Sequence, residues 1–180
     1  GPFSVEGDEA QICIDGVRHG ERYSVLVRQG VPAADGETLE KSASLNVYVR
    51  DRSPSVRFLG RAYVLPAGDG ASIPVVSVNT STVEAEIYRI GERGLAPALR
   101  DRRVLSQLDP SRADQLRDEY GEKVWSGEIE TRAPLNTDVT TAIPVADLGL
   151  EMEPGIYAMV ARAAADKKNE WGPRATQWFL

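Results

Sequence analysis

Between Ser55 and Asn79 the chain reads SVRFLGRAYVLPAGDGASIPVVSVN, and this stretch constrains the fold more than any other. Two runs rich in Val, Ile, Phe and Tyr flank a Gly- and Asp-containing cluster. β-Branched and aromatic side chains fit a pleated strand, and Gly and Asp supply turn geometry. The segment therefore predicts strand, turn and strand, and it carries no group suited to catalysis.

The same period of two recurs along the chain. Gln11 to Ile14 reads as a short strand. Tyr23, Val25 and Val27 share one face of a second, and Leu45, Val47 and Val49 one face of a third. About fifteen residues separate these two strands, with turn formers at Pro32 and Asp35-Gly36. Asp51-Arg52-Ser53-Pro54 is the boundary candidate, because Pro54 holds Ser53 extended and ends strand pairing. Residues 1–53 then form a partial or small β domain, with too few strands to close a sandwich.

After Pro54, strands are predicted near residues 56–59, 62–65, 73–78 and 83–90. Val83, Ala85 and Ile87 alternate there against Glu84, Glu86 and Tyr88. The period then changes. Leu99, Arg102, Arg103, Leu105 and Leu108 fit a helix that Asp109-Pro110 stops, and Ser111 is placed to cap a second with Ala113, Leu116 and Tyr120 on one face. Strands resume at 123–129, 139–145, 155–163 and 174–180. Glu153-Pro154-Gly155 predicts a type II turn with Gly155 at positive φ, and 166–172 a polar hairpin loop. The expected fold is all-β: residues 54–180 form an antiparallel β-sandwich with a helical insertion near 99–120.

Composition narrows the function classes. Apolar residues make up 42% of the 180, enough for a core, and the net charge is −6. The longest basic stretch, Arg100 to Arg103, is interrupted by Asp101, so no phosphate-binding patch forms and nucleic acid is not an expected partner. No apolar run approaches the roughly 20 residues of a membrane span, so no membrane contact by these residues is expected. One cysteine excludes an intrachain disulfide. Gly1-Pro2 resembles an expression scar, and the sequence is expected to be part of a longer polypeptide.

The chemistry-bearing residues are sparse. His19, the one histidine, lies in the charged turn Arg18-His19-Gly20-Glu21 and is expected to be a surface residue rather than a base. Cys13, between Ile12 and Ile14, is expected to be a small buried hydrophobe rather than a nucleophile. Gly68-Asp69-Gly70 lacks the third glycine and the following helix of a dinucleotide loop. Asp8-Glu9, Glu151/Glu153 and Asp114/Asp118 are possible carboxylate pairs, each expected on a solvated surface. Asp15, Asp35, Asp69 and Asp138 lie in loops without the dense spacing of a calcium site. Trp125 and Trp178 are expected in core or interdomain packing, and Trp171 is the one candidate for an exposed platform. No catalytic, cofactor-binding or metal-binding residue is assigned, and no cofactor is expected.

Several longer strings resemble the bacterial alpha-2-macroglobulin family. They are Tyr23-Ser24-Val25 through Gly30-Val31-Pro32-Ala33-Ala34-Asp35-Gly36-Glu37-Thr38-Leu39; Val49 to Phe58 running into Tyr63-Val64-Leu65-Pro66; Ile73 to Thr80; Gly121 to Gly127; Pro154-Gly155-Ile156-Tyr157; and Ala175 to Phe179. They span nearly the whole chain and are similar to the N-terminal part of those proteins. The resemblance implies a macroglobulin-like module of a periplasmic endopeptidase inhibitor, lipid-anchored to the inner membrane. Its partners would be attacking proteases and the neighbouring macroglobulin-like domains of one polypeptide. The family's thioester motif, Cys-x-Glu-Gln, is not matched by Cys13-Ile14-Asp15-Gly16, so no thioester residue carries over and no bait segment is placed. The implied role is scaffold, not enzyme. The competing expectation is an adhesion or glycan-binding module of the cell envelope, which would need an exposed platform such as Trp171. A hydrolase would need His19 beside a nucleophile.

Overall fold

The computed structural model describes residues 5–7, 12–33, 35–60, 62–65, 71–100, 104–132, 134–150, 153–164 and 173–180. The chain divides into two compact units, residues 1–52 and 53–180.

In the first unit β1 (Val5–Gly7) pairs antiparallel with β2 (Ile12–Ile14), and β3 (Arg22–Val27) with β4 (Ala43–Tyr48). The long connection between β3 and β4 is an ordered arm rather than an open loop. The Gly30 N–H donates to the Leu39 carbonyl and the Leu39 N–H to the Val31 carbonyl, both at 2.9 Å. Pro32 bridges Thr38, and Gly36 makes the turn at a φ of +87° that a side chain would strain. None of the described residues from 13 to 52 is buried.

The second unit packs two sheets face to face. One has the order β10-β7-β5, formed by β5 (Ser55–Phe58), β7 (Ser72–Val78) and β10 (Val139–Pro144). The other has the order β6-β12-β11-β8-β9. It is formed by β6 (Ala62–Tyr63), β8 (Thr82–Ile90), β9 (Gly121–Glu130), β11 (Ile156–Ala163) and β12 (Ala175–Phe179). Every pairing is antiparallel except β12 with β6. Alternation drives Ile73 and Val75 from one side, and Val83, Ala85, Ile87, Met159 and Phe179 from the other, into a shared core. Tyr157 stacks on Phe179 with ring centroids 5.4 Å apart. At one end Asn79 and Asn136, both at positive φ, lock two turns together. The Asn136 N–H donates to Asn79 Oδ1 at 2.6 Å and Asn79 Nδ2 to Asn136 Oδ1 at 3.1 Å.

The antiparallel sandwich follows the expected pattern, but the helical insertion is placed differently. The first helix, α1, is Glu92–Arg100 with Pro97 inside it, not a helix running from Leu99 to Leu108. Glu92 in the first turn and Arg100 in the last complement the helix dipole, whereas Leu105 sits at a φ of +64°, which breaks any helix across it. The second, α2, is Pro110–Gln115. Asp109, not Ser111, is its cap: the Arg112 N–H donates to Asp109 Oδ1 at 2.8 Å. Pro110 therefore starts this helix as an N1 proline and does not end the previous one. A π turn, Leu116–Tyr120, leads into β9. Gly155 is also corrected: its φ is not left-handed, so the Pro154 turn is not of the expected type II form.

The insertion forms a third layer. Leu108, Ala113 and Leu116 pack on Tyr88, Ile90, Ala158, Val160 and Trp178 from the outer face of the five-stranded sheet. Gln107 fastens the segment before α2 to the part of β12 that β6 leaves unpaired. Its Nε2 donates to the Thr176 carbonyl at 2.7 Å, and the Thr176 N–H donates to its Oε1 at 3.0 Å. One side-chain amide thus takes the place of a neighbouring strand and covers an open edge.

One core position is imperfect. Ser77 is fully buried on β7, and no donor or acceptor among the described residues reaches its Oγ. An unpaired buried hydroxyl costs roughly 1–3 kcal/mol. Ser77→Ala should therefore raise unfolding free energy by about 1 kcal/mol, read as a higher urea midpoint at unchanged m-value; a lowered midpoint would show that the hydroxyl stabilises the sandwich.

Candidate functional site

The outer face of the five-stranded sheet is only half covered by the helical layer. Tyr88 and Ile90 lie beneath it, while Glu86 and Glu84, two and four residues before Tyr88 on β8, stay outside. The uncovered half carries a recess of about 220 Å³ lined by Glu84, Glu86, Ser126, Arg162, Arg117 and Arg174, among others. Strand alternation supplies the floor from β8, β9 and β11. The π turn and the residue before β12 supply two arginines at the rim.

The charges in this recess are matched to one another. Arg162 Nε meets Glu84 Oε2 at 2.7 Å, and Arg174 Nη1 meets Asp114 Oδ1 at 2.7 Å. Arg117 reaches Asp114 at 3.2 Å and Asp118 at 2.8 Å, and Lys123 lies 3.4 Å from Glu86. The hydrogen bond from Arg117 holds the Asp118 carboxyl below the usual aspartate range. Burial pushes the Tyr88 hydroxyl well above its ordinary value, helped by its hydrogen bond to Glu86 at 2.5 Å. Tyr88 thus keeps its proton and serves as a donor. The contacts shown in the recess are those of fastening: the Arg174–Asp114 pair ties the start of β12 to α2.

The residues singled out from the sequence are scattered. His19 is an exposed turn residue whose Nδ1 donates to the Arg50 carbonyl at 2.8 Å. Cys13 is exposed rather than buried, which corrects the expectation of an interior thiol. It stands opposite Glu6 in a two-stranded pair, and such a pair has no interior of its own. Asp114 and Asp118 share Arg117 as their ion-pair partner. Glu153 pairs with Arg89 at 2.6 Å, and Asp138 with Arg57 at 2.7 Å. Asp35 Oδ1 accepts from the Glu37 N–H at 3.1 Å inside the β3–β4 arm, and Asp15 is exposed just after β2. Trp178 is fully buried, and Trp125 packs against the sandwich core with its ring lying over Gly127. Asp8, Glu9, Gly68-Asp69-Gly70, Glu151 and Trp171 lie outside the described residues. Among the described residues there is no group of three metal-ligating side chains, and no helix long and apolar enough to cross a membrane.

The sequence reading missed the arginine–carboxylate network. Its one local signal was Arg162, a lone charge inside the apolar strand Ile156–Ala163.

Two packed sheets with a helical outer layer define a β-sandwich module. Residues 57–176 match the family model described as the bacterial alpha-2 macroglobulin MG2 domain. The chain belongs to the bacterial alpha-2-macroglobulin family. It is 29% identical over 170 residues to an alpha-2-macroglobulin of Xylella fastidiosa, covering 90% of this chain and 10% of that protein. It is 24% identical over 140 residues to one of Escherichia coli, covering 78% of this chain and 8% of that protein. The chain thus spans about a tenth of the length of the relatives it matches. Among solved structures, Salmonella alpha-2-macroglobulin reacted with methylamine superposes with a TM-score of 0.61 at 21% identity, over 92% of this chain and 9% of that one. An E. coli fragment spanning domains MG0-NIE-MG1 superposes with a TM-score of 0.55 at 20% identity, over 99% of this chain and 56% of that one.

Proposed function

We propose that this chain is a scaffold module of a larger alpha-2-macroglobulin that inhibits endopeptidases by trapping them, and that it has no catalytic role of its own. The match of residues 57–176 to the family's MG2 domain carries this reading. The charged recess supports it, because its arginines and carboxylates hold a helical layer on a sheet. The module's contribution is rigidity: it keeps neighbouring parts of the polypeptide in register while a protease is caught elsewhere. We further propose that the full-length protein resides in the periplasm, lipid-anchored to the inner membrane.

The test uses the full-length parent and a broad-specificity endopeptidase. Cleavage of a large protein substrate should fall severalfold when the parent is added, while a small chromogenic peptide is still cleaved. The parent should also change its hydrodynamic size on cleavage. If large and small substrates are hydrolysed alike and the size is unchanged, the reading fails.

A further inference from the structure

The segment from Gly91 to Tyr120 is an excursion from a single ladder. β8 ends at Ile90, β9 begins at Gly121, and these two residues stand directly opposite each other in the antiparallel pair. The excursion leaves and returns at neighbouring points, so lifting it breaks no strand pairing. Its packing is separate as well. Leu108, Ala113 and Leu116 pack with Tyr88, Ile90, Ala158, Val160 and Trp178. That cluster shares no buried residue with the one between the two sheets, which is built on Ile73, Val75, Ile87 and Met159 among others.

The polar ties of the segment converge on one strand. Besides the two hydrogen bonds between Gln107 and Thr176, Trp178 Nε1 donates to the Ser106 carbonyl at 2.8 Å, and Arg174 Nη1 meets Asp114 Oδ1 at 2.7 Å. The helical pieces are too short to stand alone. α1 has nine residues with Pro97 inside it, which removes a helix hydrogen bond, and α2 has six, followed by a π turn of five. Isolated helices shorter than about 12 residues are marginal in water. α1 also touches the π turn directly, backbone to backbone, at Gly94 and Tyr120. Each piece therefore depends on the sheet and on its neighbours.

We propose that the segment from Gly91 to Tyr120 is a lid that opens as one unit, hinged at the Ile90–Gly121 pair, while the sandwich stays folded. Opening bares the outer face of the sheet at Tyr88, Ile90, Ala158, Val160 and Trp178, and frees the edge of β12 at Thr176. The sandwich keeps its own core throughout. The inference does not rest on the scaffold reading; it adds a moving part to a rigid one.

Hydrogen exchange of the full-length protein, read by mass spectrometry at low urea, tests this. Hydrogen-bonded amides of α1, α2 and the π turn should share one opening equilibrium, with protection at least about tenfold below that of β7, β8 and β11. Gln107→Ala removes both bonds to Thr176 and should quicken all of these lid amides about tenfold, with β7 and β11 unchanged. Asp114→Asn weakens the tie to Arg174 without opening a void and should quicken the same set, so the result does not hang on one variant folding. Lid and sandwich amides protected to within about tenfold of each other would overturn the proposal. So would α1 responding separately from α2 and the π turn, or a folded variant that leaves lid exchange unchanged or quickens the strands as much.

Discussion

Trp178→Ala is expected to lower the stability of the unit spanning residues 53–180 by about 3–5 kcal/mol, the range for truncating a large buried aromatic. In a thermal melt followed by far-UV circular dichroism this is a fall of roughly 10–20 °C. Three features set the magnitude. The ring is fully buried, so the substitution opens a void between the helical layer and the sheet. Nε1 donates to the Ser106 carbonyl at 2.8 Å, so that carbonyl loses its donor as well. The ring also lies beside the point where Gln107 grips β12 at Thr176, and loosening one weakens the other. Trp178→Phe retains most of the apolar area and loses only the N–H, so its loss should be less than half as large. A Trp178→Ala protein within 1 kcal/mol of the parent would mean that the helical layer is dispensable for folding.

The strands were legible because one buried face imposes a period of two that the residues display directly, as at Val83, Ala85 and Ile87. The helical insertion was not, for two reasons. Pro97 lies inside α1, where its ring opposes the carbonyl four residues earlier, so residue preference argues against the helix that tertiary packing selects. Leu108 is buried as the leucine spacing suggests, but from an extended segment beyond a left-handed Leu105. Burial alone does not tell a helix from a strap. Cys13 misled for a related reason: flanking isoleucines imply an interior only where the strand belongs to a sheet with a layer over it. The recess was out of reach of any local pattern. Arg162 and Glu84 are 78 residues apart and Arg174 and Asp114 are 60, so the fold alone brings them together.

Gly94→Ala should also destabilise this unit, although in an isolated helix the exchange would be favourable by up to about 1 kcal/mol. The reason is the crossing of α1 with the π turn. A methyl group at Gly94 would lie 2.2 Å from the Tyr120 carbonyl oxygen and 3.0 Å from the Tyr120 Cα. These are backbone atoms, so no side-chain rotation relieves the overlap. Tyr120 leads directly into Gly121, the first residue of β9, and Gly121 is closely flanked by Tyr88 and by the Leu116 carbonyl. To make room, either α1 lifts from the π turn or the start of β9 shifts in register. Overpacking of this kind costs typically 1–3 kcal/mol and sometimes more, and with no side chain able to give way the upper part of that range applies, which outweighs the helix preference and leaves a net loss of about 1–2 kcal/mol. Gly155→Ala is the control, because a methyl there meets its nearest neighbour at 3.6 Å, an ordinary contact. The urea midpoint of Gly94→Ala should fall clearly below that of Gly155→Ala, and amide exchange should quicken first in α1 and the π turn. If Gly94→Ala is instead the more stable of the two, α1 does not pack against the π turn at this distance.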